Sequence, residues 1–309
     1  MKSNDFAAAV DIGGTKIDLG IINRFGKIIY SERIPTPSKA KFSANKLTEL
    51  IAQTITLQSE KYHSPISSIG IGIAGQVDKN SSKLINGPNI RHLQNLDFKV
   101  KFKQLLDVPC VVENDARCFA YSQAIIGQGK SYSRVFGVTI GTGIGGGLIE
   151  DGVIIKGSHQ GFGEIGHTLF IADGLLCGCG AKGCLEQYCS ASALVKMGIK
   201  SLKMPDLTGP VLSSLYKNEK NRKVAEIYEK FANNLGIGLA SAANLLDPQI
   251  IILGGSVIES FSLFEKHLRY GYDSYALPGV RDIPIIASNT VHSAMVGAGL
   301  LSFKLSDVA

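Results

Sequence analysis

One pattern occurs twice in this chain, and it restricts the fold more than any other feature. Short β-rich runs at 6–13, 17–23 and 27–34 are separated by the turns "GGTK" and "NRFGK", which reads as a three-strand meander. From residue 134 the order repeats: "RVFGVTI", the turn "GTGIGG", then "GLIEDGVIIKG". Strand, glycine-rich turn with a threonine, strand, charged turn with a glycine, strand: a second copy of that order predicts two related α/β halves. Each half is expected to present one glycine turn toward a shared cleft, a favoured place for ligands.

The rest of the chain supplies the helices and parallel strands such halves need. A helical pattern over 43–61 precedes the apolar strand "SIGIGIAG"; "PCVVEND" comes next and runs into a helix, "ARCFAYSQAIIG". Later come a long amphipathic stretch over 219–246, the strand "QIIILGG", a helix near 257–269, the strand "IPIIA" and a final helix from 292. At 309 residues, 45% of them hydrophobic, the chain can bury a large core and is long for one domain, which again predicts two. The net charge of +6 is spread over 32 basic and 26 acidic residues without a basic block, and the Lys-rich "FKVKFK" (98–103) alternates like a strand or surface segment. This speaks against nucleic acid as a partner. Nowhere do 18 apolar residues run together, so no membrane span and no signal peptide are expected, and the predicted location is cytoplasmic. Thiols stay reduced there, so clustered cysteines read as a metal site before a disulfide framework.

The glycine turns carry chemistry by their backbones. Gly141, Gly143 and Gly146 satisfy G-x-G-x-x-G, but a dinucleotide fingerprint needs a helix next, and here a hairpin succeeds it. What remains is a turn whose amides can cradle a phosphate. In "DIGGTK", Gly13 and Gly14 let the backbone approach an anion, Thr15 offers a hydroxyl and Lys16 a charge; Asp11 has the chemistry to hold Mg²⁺. A third turn, "LGGS" with Gly254 and Gly255, ends a strand and opens a helix. Asp115 in "ENDARC" stands at a strand-to-helix junction, as either an N-cap or a general base. Three of the six cysteines fall within "CGCGAKGC", and with His167 they give H-x9-C-x-C-x4-C, with Gly178, Gly180 and Gly183 supplying turns. Cys177, Cys179, Cys184 and His167 form a closed Cys3His shell suited to a structural zinc. Cys110, Cys118 and Cys189 fall outside it.

Taken together, "DIGGTK", "ENDARC", "GTGIGGG", "GEIGH", "CGCGAKGCLE" and "IIILGG" resemble the ROK family of sugar kinases and repressors, in order and spacing, over nearly the whole chain. The resemblance implies an actin-like, ribonuclease-H-like α/β fold of two lobes with ATP and Mg²⁺ in the cleft and a structural zinc loop. The expected lobes are 1–115 with 290–309, carrying the first phosphate loop and the catalytic Asp, and 116–289, carrying the second phosphate loop, the zinc loop and the adenosine-binding turn. It further implies Asp115 as catalytic base, and Asn89, Asn114, Asp115, Glu164, His167 and Glu186 around the sugar. Asp11, Gly13, Gly14, Thr15, Lys16, Gly141, Thr142, Gly143, Gly254 and Gly255 would bind the nucleotide; a homodimer is usual in the family. The implied reaction is ATP-dependent phosphorylation of the C6 hydroxyl of a glucose-type aldohexose. N-acetylglucosamine or N-acetylmannosamine kinase is the alternative, and fructokinase ranks lower. Arg117 stands where many relatives carry a small or amide residue, and "GPNIRHLQ" lacks an aromatic often seen after the sugar-binding Asn; both bear on the choice of sugar. A sugar-responsive repressor carries a helix-turn-helix domain ahead of "DIGGTK", and ten residues before Asp11 leave no room for one.

Overall fold

The structure, a computed structural model, describes residues 5–36, 43–80, 82–87, 90–219 and 221–306. In chain order its elements begin with β1 (Phe6–Ile12), β2 (Lys16–Asn23), β3 (Ile28–Pro35), α1 (Ala44–Lys61) and β4 (Ile66–Ile73). The short pair β5 (Gln76–Val77) and β6 (Leu84–Asn86) comes next, then α2 (Phe98–Leu106), β7 (Cys110–Asn114) and α3 (Asp115–Ile125). After these stand β8 (Arg134–Ile140), β9 (Ile144–Glu150), β10 (Val153–Ile155), α4 (Glu186–Cys189), α5 (Ala191–Leu202), α6 (Gly209–Glu219) and α7 (Arg222–Leu246). The chain closes with β11 (Ile250–Gly254), α8 (Phe261–Tyr275), β12 (Ile285–Ala287) and α9 (Ser293–Ser306).

The predicted duplication is present in the sheets. One has the order β3-β2-β1-β4-β7 and the other β10-β9-β8-β11-β12, so the five strands of each half take the same path. Within the first, β1 pairs antiparallel with β2 and parallel with β4, which pairs parallel with β7. β1 and β4 are buried along almost their whole length, which is why "FAAAVDI" and "SIGIGI" read as near-continuous apolar or small runs. In the second sheet β8 runs parallel to β11, and β11 to β12.

Two compact units result. The first comprises Met1–Ser133, Gly147–Phe162 and Asn289–Ala309, and the second Arg134–Gly146 and Gly163–Ser288. α3 and β10 therefore belong with the first unit, whereas the sequence reading ended that lobe at 115. The reason is packing: a Cβ on Gly297 of α9 would lie 1.8 Å from the Cys118 carbonyl oxygen, and one on Gly70 equally close to that of Ala298. α9 thus lies directly on β4 and α3. In the second unit, Gly236 and Gly271 allow an equally close crossing of α7 and α8.

Three local readings differ from the structure. "FKVKFK" is helix α2: Asp97 caps it by accepting the Val100 N–H, and Phe98 and Phe102, four apart, are buried while Val100 faces out. The helix expected near 257–269 starts later, at Phe261, after a 3-10 turn over Ser256–Ser260. The turn "GTGIGG" is shorter than its glycines indicate, since β9 begins at Ile144. Among the described residues, no helix is long and apolar enough to cross a membrane.

Candidate active site

In the first unit the chemistry gathers at the carboxyl ends of β1, β4 and β7. Gly72 of β4 pairs in register with Asp11 on one side and Glu113 on the other. A Cβ at Gly72 would stand 3.5 Å from Asp11 Oδ1 and 3.7 Å from the Asp115 Cα, so a small residue there lets Asp11 and Asp115 come close to one another across β4. Asp11 Oδ1 is sealed from solvent without a hydrogen-bond partner. Burial first, then the charges of Asp115 and Asp18, hold this carboxyl well above the usual carboxylate range. An orphaned, charge-crowded oxygen of this kind suits a hard cation, so Asp11 fits the Mg²⁺ that the sequence reading assigned to it.

The cap of α3 is Asn114. Its side chain accepts the Arg117 N–H at 3.1 Å and donates to the Gly75 carbonyl at 3.1 Å. Asp115 is the first helical residue, its Oδ1 accepting the Ala116 N–H at 2.9 Å. The bland reading of Asp115 as an N-cap therefore passes to its neighbour. Asn89 lies outside the described residues.

The turn 11–16 is braced by its own sheet. The Gly13 N–H donates to the Lys16 carbonyl at 3.0 Å, the Thr36 hydroxyl to the Gly13 carbonyl at 2.7 Å, and the Thr36 N–H to the Thr15 carbonyl at 3.0 Å. Gly14, Thr15 and Lys16 are exposed.

In the second unit the Gly141 N–H donates to the Gly143 carbonyl at 3.0 Å, closing a second tight turn around exposed Thr142. Gly254 and Gly255 come up against it. Gly255 has φ +93°, and a Cβ there would fall 2.4 Å from the Ile140 carbonyl oxygen, so only glycine lets the two turns touch.

The cysteine loop lies in the same unit. Antiparallel bridges Leu169–Cys184 and Leu176–Lys182 fold it back on itself, and Gly180 and Gly183 take φ of +95° and +81°. Gly178 has ordinary dihedrals and supplies no strained turn. One ligand atom from each of His167, Cys177, Cys179 and Cys184 lies within 4.8 Å of all the others. The Cys179 and Cys184 sulfurs are 3.6 Å apart, and Cys177 Sγ is 3.7 Å from His167 Nδ1. A tetrahedron of Zn–S bonds of about 2.3 Å has edges of about 3.8 Å, so the donor set fits zinc in type, number and spacing. Burial pushes the Cys177 thiol up to about 12 and the Cys184 thiol up as well, a balance that a coordinated cation reverses.

Glu186 links this loop to the second turn. Its Oε1 lies 3.1 Å from Cys177 Sγ, and its Oε2 accepts the Ile144 N–H at 3.4 Å. Farther along, the Ala191 N–H donates to the Gly141 carbonyl at 2.9 Å. Glu164 precedes, and His167 ends, a single 3-10 turn, Ile165–His167; both are exposed. The sequence reading did not single out Glu113, Lys156 or the role of Arg117. Glu113 is 2% exposed and meets Lys156 Nζ at 2.6 Å and Arg117, four residues on, at 3.3 Å; Lys156 is too far along the chain for the three to form a sequence motif.

The comparisons with known proteins agree with this geometry. The ROK family profile matches residues 7–304. A glucokinase of Streptomyces coelicolor is 33% identical, covering 95% of this chain and 96% of its own length. An N-acetyl-D-glucosamine kinase of Yersinia pseudotuberculosis is 30% identical over 83% and 84% of the two chains. Among solved structures, a ROK family glucokinase from Streptomyces griseus, in complex with glucose and AMPPNP, superposes with a TM-score of 0.85 at 30% identity, over 97% of this chain and 99% of the other.

Proposed function

The chain belongs to the ROK family, and from that premise we propose that it is a glucokinase-type sugar kinase, transferring the γ-phosphoryl group of ATP to the C6 hydroxyl of a glucose-type aldohexose. The observation that carries the reading is the pair Asp11, on β1, and Asp115, at the end of β7, on the two sides of β4, where Gly72 leaves room between them. Two carboxylates in different surroundings suit two tasks. Asp115 accepts the proton of the attacking hydroxyl. Asp11 would hold Mg²⁺, which offsets charge on the phosphates when bound. Since the Gly13 and Gly141 amides are spent inside their turns, the phosphates are met by those of Gly14, Thr15, Thr142 and Gly143. Gly254 and Gly255 border the adenosine.

Asn89, Asn114, Glu164, His167 and Glu186 supply donors and acceptors to the sugar hydroxyls. His167 turns Nδ1 to the sulfurs, so with zinc in place Nε2 carries the proton and donates to a hydroxyl. Zinc would be held by His167, Cys177, Cys179 and Cys184 and serves the structure of the loop. The similarity to a glucokinase bound to glucose and AMPPNP supports both substrates. Glucose stands ahead of N-acetylglucosamine because 33% identity to a glucokinase spans the chain. The homodimer usual in the family belongs to the same proposal.

The test is kcat/KM for glucose, N-acetylglucosamine, N-acetylmannosamine, mannose and fructose in one coupled ADP assay. Glucose is expected to lead, with mismatched sugars penalised by up to roughly 10⁴-fold through unpaired buried groups. A fructose preference overturns the aldohexose reading. Asp115→Asn is expected to lower kcat by roughly 10²-fold or more with folding intact; near-normal turnover would remove Asp115 as the base.

A further inference from the structure

Arg117 is buried to 2% exposure, and its guanidinium does more than answer a charge. Nη2 donates to the carbonyl oxygens of Gln160 at 2.7 Å and Phe162 at 2.9 Å, while Nη1 reaches Glu113 Oε1 at 3.3 Å. Glu113 Oε1 also accepts the Asn114 N–H at 2.9 Å, and its Oε2 is 2.6 Å from Lys156 Nζ. Gln76 Nε2 donates to the His159 carbonyl at 3.3 Å. The segment Lys156–Phe162 has no regular structure, and Gly157 and Gln160 take φ of +71° and +60°. One bond of its own closes the segment, the Phe162 N–H donating to the Lys156 carbonyl at 3.2 Å; side chains of Arg117, Glu113 and Gln76 tie it to the rest of the unit through its main chain and Lys156.

The positions of the two ends give this clamp a use. Arg117 lies two residues after Asp115 in the first turn of α3, and Phe162 lies two residues before Glu164. Two residues reach at most about 7 Å. The guanidinium therefore fixes residues 160–162 to the helix that begins with the proposed base, two residues ahead of Glu164 in the chain. We propose that Arg117 is a positioning residue for the sugar: it sets the path of residues 160–162, the backbone that leads in the chain to Glu164, without touching substrate. The proposal rests on the sugar-kinase reading. Lysine does not replace the fork, because one ammonium cannot serve two carbonyls and a carboxylate in fixed directions.

The experiment compares the wild-type chain with Arg117→Met, Arg117→Lys and Asp115→Asn. Arg117→Met keeps an apolar stem and leaves Glu113 paired with Lys156, so no buried charge is stranded. Two readouts are taken: KM for sugar and ATP separately, and amide hydrogen exchange over 157–163 in the absence of sugar. Arg117→Met is expected to raise the sugar KM about tenfold or more, a modest share of what an ångström-scale misplacement costs, with the ATP KM within about twofold. Exchange over 157–163 rises and stays unchanged elsewhere in the first unit, with Arg117→Lys in between. Asp115→Asn lowers kcat and leaves exchange there unchanged. Equal rises in both KM values, or unaltered exchange over 157–163 in Arg117→Met, overturn the role. A wild-type chain that phosphorylates no sugar overturns the kinase reading and this role together. An active wild type whose Arg117→Met variant behaves identically removes the role alone.

Discussion

The turn 11–16 joins the first two strands of one sheet, and the turn 141–143 joins the same two strands of the other, yet they are held by different parts of the chain. The first is tied to the end of its own third strand, through the two bonds from Thr36. The second is held from a distant stretch, by Glu186 on the Ile144 N–H and by the Ala191 N–H on the Gly141 carbonyl. The cause is the length of chain between the third and fourth strands. Among the described residues, α1 is the one element between β3 and β4 in the first half; in the second, residues 156–249 intervene between β10 and β11, and their described part carries the cysteine loop and four α-helices. The duplicated frame supplies two glycine turns, and the insertion ties one of them to the chain that follows the cysteine loop. The first turn carries its own charge in Asp11 and Lys16, whereas the second has none and borrows that of Glu186.

The largest effect that tests this difference comes from Cys184→Ser. Loss of one ligand of the Cys3His set is expected to release zinc and to weaken sugar binding by about 10- to 100-fold, the range seen when the surroundings of a metal are disturbed. If the second turn depends on this loop, affinity for ATP analogues falls as well, because Glu186 and Ala191 stand just beyond Cys184 in the chain. Metal analysis with calorimetric titration of AMPPNP checks both. Zinc lost with nucleotide affinity intact would break the comparison, leaving the loop as a sugar-side element alone.

How much of this was legible depends on where each signal lies. β1, β2, β4, β8 and β11 were readable because buried strands next to glycine turns leave short apolar runs, and the Cys3His cluster because thiols at that spacing have few other uses. Helix α2 was misread because Phe98, Val100 and Phe102 alternate; the helical signal was Asp97 as cap with two phenylalanines four apart. α5 and α6 were not assigned, although Ser190 caps the first by accepting the Ala193 N–H. The clamp at Arg117 was beyond reach, because its partners are carbonyls 43 and 45 residues away, and a carbonyl carries no side-chain identity. The lobe boundary was missed for a similar reason: α3 belongs with α9, some 170 residues later, through glycines that look like any others.

A smaller effect separates Gly143 from Gly141. A Cβ on Gly143 would stand 2.4 Å from Glu186 Oε2, so alanine pushes that carboxylate off the Ile144 N–H; at Gly141 nothing of the protein lies within 4 Å. Gly143→Ala is expected to lower kcat/KM for sugar and ATP about tenfold by displacing Glu186. Gly141→Ala is expected to leave the melting temperature unchanged and to weaken only nucleotide binding, because the space it fills is where a ligand approaches. Equal effects of the two substitutions on sugar kinetics would show that Glu186 does not couple the loop to the turn.

The smallest effect concerns the cost that the first turn carries and the second does not. In the fold Asp11 is pushed well above the usual carboxylate range by burial and by Asp115 and Asp18, so its protonated form is the favoured one. A raised acid contributes stability that is full below the unfolded value of about 3.9 and is lost as pH rises through the folded one. At neutral pH an ionised Asp11 without a cation is therefore a net cost, which Asn removes while keeping the shape. Asp11→Asn is expected to lose kinase activity and to melt about 2–4 °C higher than the wild type at pH 7 without Mg²⁺, the shift that about 1 kcal/mol produces in a domain of this size. The gain shrinks toward pH 4, where the wild-type carboxyl is protonated in the fold and about half protonated in the unfolded chain. Added Mg²⁺ and nucleotide raise the melting temperature of the wild type and not of the variant, because only the carboxylate offers the cation a charged ligand. A variant that melts lower than the wild type at pH 7 would mean that the fold already satisfies Asp11, and that the first turn, like the second, holds no charge in reserve for a metal.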